Sequence, residues 1–117
     1  MKVISDKIDA APFHAISRGD VRLIFSAVPP SWSELVGTVR LSGSLKSWPA
    51  LYNATDKIFT IASRGRTKEE TVRLVIAELA SHALGFRRRT FQHLQARYKS
   101  QVDALIEPIL AELLPKL

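Results

Sequence analysis

Two stretches of the chain repeat their apolar residues at helical spacing. Val72, Val75, Ile76, Leu79, Ala83 and Phe86 fall on one face of a 3.6-residue period. Thr67 and Glu70 stand at capping-box spacing ahead of them and Gly85 near their end, which predicts a helix over residues 67–85. From about residue 90, Phe91, Leu94, Tyr98, Val102, Leu105, Ile109 and Leu113 repeat in the same way. They predict a second long helix, kinked or restarted at Pro108.

The N-terminal half has a different rhythm. Val39 and Leu41 alternate with Thr38, Arg40 and Ser42, the period of a half-buried strand. Ala50-Leu51-Tyr52 and residues 58–62 flank a polar five-residue segment, Asn53-Ala54-Thr55-Asp56-Lys57, and predict a hairpin. Residues 21–28 form a β-branched and aromatic run ended by Pro29-Pro30. They are expected to be a buried strand reached through the turn-forming Arg18-Gly19-Asp20. Ser31 and Glu34 predict one capped helical turn through Val36, stopped by Gly37. Residues 1–17, interrupted by Pro12, are expected to form a short helix or a lead-in packed on the core. The elements sum to an α/β (α+β) fold in which a small, mostly antiparallel sheet of about four strands packs against two long C-terminal helices.

At 117 residues the chain suits a single domain, residues 1–117, built on one shared core. Its apolar content of 46% against 24% charged is that of an ordinary globular protein, and no apolar run approaches a membrane span. The N-terminus has charges spaced through it and does not read as a secretory leader, so the expected location is the cytoplasm. With no cysteine, disulfides, thiolate-bound metals and thiol catalysis are excluded, and a metal site would have to use His, Asp and Glu.

Seventeen Lys and Arg against eleven Asp and Glu leave a net charge of +6, which favours anionic partners without specifying one. Arg64, Arg66 and Lys68 cluster just before a predicted helix N-terminus, and Arg87, Arg88 and Arg89 separate the two long helices. Both groups are candidate anion-binding residues. The Gly-rich spacing of a P-loop is missing. If the two runs share a face, they would grip a nucleic-acid backbone without reading bases, with Trp32, Trp48, Tyr52 and Phe91 as candidate stacking platforms. A third reading is a protein partner that docks through the apolar face of the C-terminal helix.

The helix wording adds a more specific possibility. Strands, an aromatic-bearing hairpin, a polar turn and then Ala77-Glu78-Leu79-Ala80-Ser81-His82-Ala83-Leu84-Gly85 resemble the core of the zincins, the metallopeptidases with a His-Glu-x-x-His helix, over residues 21–86. In that family two His one turn apart hold zinc and the Glu beside the first activates water. If Glu78 is aligned with that general base, the ligand positions fall on Ala77 and Ser81. If His82 is the second ligand instead, Glu78 becomes the first, Leu79 replaces the base and Arg88 takes the third-ligand place of the longer metzincin pattern. A site made of Glu78, His82 and His93 is the remaining way to hold zinc, with His14 the only other imidazole. Otherwise the residue types imply no cofactor, with His82 a hydrogen-bonded boundary histidine and Glu78 a solvated carboxylate near the helix's polar edge, the two forming an intrahelical pair. The resemblance therefore implies a zincin-like domain without peptidase catalysis, acting as a binding or scaffolding module. The alternatives are a non-specific nucleic-acid-binding domain and a weakly active metallopeptidase with an atypical metal site.

Overall fold

The structure, a computed structural model, describes residues 1–46, 48–85 and 96–117. Strands β1 (Lys2–Ser5), β2 (Thr38–Ser42), β3 (Ala50–Asn53) and β4 (Ile58–Ala62) form one sheet in the order β1-β2-β4-β3. Helices α1 (Arg18–Ala27) and α2 (Pro30–Ser33) lie between β1 and β2 in sequence. After β4 come α3 (Lys68–Ala83) and α4 (Ala96–Leu113), and the chain closes with a 3-10 turn, Leu114–Lys116.

The α/β class and the four strands agree with the sequence pattern, but the expected pairing does not. β1, β2 and β4 run parallel, and only the edge strand β3 is antiparallel to its neighbour. The connections explain this. Between β1 and β2 the chain has room for a helical crossover, which a parallel pair requires. After β2 it passes to the far edge, lays down β3, and returns through a hairpin so that β4 fills the place beside β2. That hairpin is set by Asn53, whose side-chain oxygen accepts from the backbone N–H groups of Thr55 and Asp56 at 3.0 and 3.2 Å.

The strand expected over residues 21–28 is helix α1. Val21, Ile24, Phe25 and Val28 are buried while Arg22, Leu23, Ser26 and Ala27 are exposed, a 3.6-residue period rather than alternation. Its start is a capping box: the Ser17 hydroxyl accepts from Asp20 N–H at 3.0 Å, and Asp20 accepts from Ser17 N–H at 2.8 Å. Arg18-Gly19-Asp20 is thus the first helical turn. The strand that makes up the number is β1, where a short helix or lead-in was expected. The turn expected at Ser31 begins at Pro30 instead, with proline at its first position and no side-chain cap.

Val39, Leu41, Phe59 and Ile61 are fully buried on one face of the sheet, where Phe59 meets Phe25 of α1 edge to face at 6.4 Å. Burying each such side chain contributes about 1.5–3 kcal/mol. The alternating residues Thr38, Arg40 and Thr60 belong to the other face and are more exposed. α3 starts and stops where expected: Thr67 caps Glu70 N–H at 3.1 Å, and Gly85 takes the left-handed φ of +79° just past its end. The expected stripe on α4 shifts, because Val102, Ile106, Leu110 and Leu113 are its buried residues and the helix continues through Pro108. Phe86, Phe91 and Leu94 lie outside the described residues.

Residues 6–17 cross the carboxyl ends of the parallel strands before α1 begins. Asp6 N–H donates to the Leu41 carbonyl, and the Asp6 carboxylate accepts from Arg40 Nε and Nη2 at 3.0 and 2.9 Å and from Gly43 N–H at 3.1 Å. Those bonds, with Arg40 foremost, hold the Asp6 carboxyl below its ordinary value. Farther along, Ala15 N–H donates to the Ser63 carbonyl at 2.6 Å.

Candidate functional site

Helix α3 carries the residues that the sequence singled out for metal chemistry. It packs against the sheet and α2 as well as α4, so its buried residues run from Thr71 and Val72 through Val75-Ile76-Ala77-Glu78-Leu79-Ala80-Ser81. A helix covered on more than one side has no polar edge in its middle. Glu78, expected at such an edge, is only 1% exposed. The cause of that burial is the coverage of α3 from several sides, by β3, α2 and α4 together.

His82 lies at the boundary, its side chain 21% exposed, but among the described residues it is without the hydrogen bond expected at Nε2. Its Nε2 lies 3.8 Å from Glu78 Oε2, beyond hydrogen-bond length, and finds no hydrogen-bond partner among the described residues. The ring packs on Tyr52 of β3 at a centroid distance of 4.9 Å. Tyr52 in turn leans on Phe59 at 6.2 Å and donates its hydroxyl to the Leu35 carbonyl. Burial pushes the His82 imidazole below its ordinary value and the Tyr52 phenol above its own. Near neutral pH both groups are therefore uncharged beside the buried Glu78.

At the two positions where a pattern centred on Glu78 would need imidazoles stand Ala77 and Ser81, both buried, and the Ser81 hydroxyl donates to the Ala77 carbonyl at 2.8 Å. A methyl group and a hydroxyl engaged in its own helix do not fit zinc. Among the described residues no three His, Asp or Glu side chains come together as a metal site. His93, the proposed third ligand, and Arg88 lie outside the described residues. His14 is occupied elsewhere: its Nε2 donates to the Asp6 carbonyl at 2.6 Å, and its Nδ1 pairs with the Ser63 hydroxyl.

The first basic cluster separates into three different situations. Arg64 donates from Nε to the Pro12 carbonyl at 2.6 Å, and from its two terminal nitrogens to Gly43 and Ala10 carbonyls at 3.2 Å each. It fastens residues 6–17 to the ends of β2 and β4. Lys68 pairs with Asp20 of α1 at 3.4 Å. Arg66 remains beside Arg64, and the structure adds Lys46, which sequence reasoning missed because it stands alone in a polar loop. The only signal for it was its position just after a parallel strand, and the sheet had been expected to be mostly antiparallel. Arg87, Arg88 and Arg89 lie outside the described residues.

Of the candidate stacking platforms, Trp32 is 7% exposed inside α2 and belongs to the core. Trp48 and Tyr52 are half-buried, and Phe91 is not among the described residues. On α4 the exposed large apolar side chain is Leu105, at 42%, which makes no stripe. No helix among the described residues is long and apolar enough to cross a membrane. Comparison with protein families, curated proteins and solved structures finds no match to this chain.

Proposed function

We propose that this chain is a zincin-like domain without peptidase catalysis, acting as a binding or scaffolding module. The observation that carries the reading is the middle of α3, where Glu78 is enclosed in the core between Ala77 and a Ser81 whose hydroxyl is bonded to its own helix. A general base for peptide hydrolysis must reach a water molecule, and a zinc ion must gather several imidazole or carboxylate donors. Enclosure works against the first requirement and the residue types against the second. The succession of the β3–β4 hairpin, a polar turn and α3 supports the zincin likeness, as does the packing of His82 against Tyr52 on the antiparallel edge strand.

The test is elemental analysis of tag-free full chain after zinc loading and desalting, with a peptide-hydrolysis assay on the same material. The expected result is no stoichiometric zinc and no cleavage. Stoichiometric zinc that disappears in Glu78→Ala/His82→Ala, together with hydrolysis lost in Glu78→Ala, would replace this reading with that of an active metallopeptidase holding an atypical site.

A further inference from the structure

The three parallel strands all end on one side of the sheet, at Ser5, Ser42 and Ala62, and in open α/β sheets the crevice outside those carboxyl ends is where ligands bind. Here that crevice is a cleft of about 470 Å³, within the size range of small-molecule sites. The loop after β2 supplies Gly43, Leu45 and Lys46, the loop after β4 supplies residues 64–66, and Pro12 closes it from the crossing segment. We propose that this cleft binds a small phosphomonoester with a compact apolar body. The inference is independent of the zincin-like reading and uses none of the residues of α3.

Charge is the first argument. Lys46, Arg64 and Arg66 line the cleft, and among the described residues no carboxylate does. Among the described residues none of the three forms an ion pair. Arg64 is held by three carbonyl oxygens, which orient the guanidinium without neutralising it. Three of its five N–H donors are occupied in this way, and the others remain for a ligand. A carboxylate would balance one of the three cations, whereas a phosphomonoester carries about −1.5 to −2 near neutral pH and offers three acceptor oxygens. Guanidinium forks match those oxygens in geometry as well as in charge.

Shape is the second argument. Gly65 adopts φ +84°, a conformation that side chains disfavour, and beyond its two chain neighbours no atom of the described residues lies within 4 Å of where its Cβ would stand. Its backbone therefore borders open space between two arginines. On the opposite wall the turn after β2 is fixed by the buried Ser42, whose hydroxyl oxygen accepts from Ser44 and Leu45 N–H groups at 3.2 and 3.0 Å and so places Lys46. Leu45 and Pro12 give the cleft an apolar flank for the organic part of the ligand. Cations at one end and apolar walls beside them form a polarised site rather than a uniformly charged surface.

Amide chemical-shift titration of the full chain with phenyl phosphate, with benzoate in parallel, tests the proposal. Saturable shifts at Leu45, Lys46, Gly65 and Arg66 are expected, with phenyl phosphate binding more tightly than benzoate. Lys46→Gln/Arg66→Gln should weaken phenyl phosphate by at least about tenfold, a loss of about 1.4 kcal/mol in binding. This pair is chosen because Arg64 also holds the fold together; a spectrum otherwise unchanged in the double variant keeps the result a statement about binding. Benzoate binding as tightly as phenyl phosphate, equal affinity in the double variant, or no saturation below about 10 mM would overturn the proposal. So would shifts spread evenly over the basic surface and reproduced by a short oligonucleotide, the signature of a non-specific backbone grip. Glu78→Ala leaves the expected titration unaltered, so failure here and failure of the α3 reading are distinguishable.

Discussion

Glu78 and Arg64 are both charged-type side chains held in place by their surroundings, but the surroundings do opposite things. Around Glu78 the neighbours on α3 are Ala77, Leu79 and Ala80, and the helix is covered by β3, α2 and α4. Around Arg64 the neighbours are carbonyl oxygens at the ends of strands and a cleft open to solvent. A layered fold encloses what lies in the middle of an inner helix, and it leaves accessible what lies where parallel strands run out. The same sheet thus makes the motif-like part of α3 structural and the less distinctive loops after β2 and β4 chemically available.

Cutting into the enclosed region has the largest expected effect. Leu79 is buried at the centre of α3, and Leu79→Ala should lower unfolding free energy by about 2–5 kcal/mol, because the layers on either side cannot both collapse into the space. Urea denaturation with an unchanged m-value is the measurement. A loss below about 1 kcal/mol would mean that α3 is far less tightly enclosed than its burial implies. Arg64→Ala should have the next largest effect, about 1–2 kcal/mol, since the Ala10, Pro12 and Gly43 carbonyls lose a charged donor but lie close enough to solvent to regain water. Its local sign is earlier proteolysis or hydrogen exchange within residues 6–17 than in α3. Uniform destabilisation without that local loosening would show that Arg64 is not what fastens the segment.

Which of these features the sequence made legible follows from how local their causes are. Thr67, Gly85 and the apolar period between them are contiguous, and they specify α3 nearly to the residue. The alternation at Val39 and Leu41 and the turn residues from Asn53 onward are equally local, and so is the hairpin. α1 is less legible because its β-branched and aromatic composition favours a strand, although Ser17 and Asp20 stand at capping distance. Strand direction is not local: it depends on where the chain re-enters the sheet, which no window of residues contains. The burial of Glu78 is not local either, since it depends on which elements pack around α3. The cleft joins residues from three loops, so Lys46, Arg64 and Pro12 could be associated only after β2 and β4 were known to run side by side in the same direction.

The smallest predicted effect is a change in slope rather than in level, and it tests the enclosed region from its rim. Burial lowers the His82 pKa below its unfolded value of about 6.5, so the unfolded chain binds protons more readily over that interval. The contribution of a neutral His82 is fully present above pH 6.5 and is lost progressively as the pH falls from there through the folded-state pKa. The cause of the lowering is desolvation of a ring packed between its own helix and Tyr52. In His82→Gln the residue no longer titrates while the rest of the chain is unchanged, so the difference between the two stability profiles isolates this one group. The wild-type profile should fall more steeply than the variant's below pH 6.5 and run parallel to it above. A variant that falls more steeply instead would show that a partner of the protonated ring outweighs its desolvation, and that His82 is not held neutral by burial.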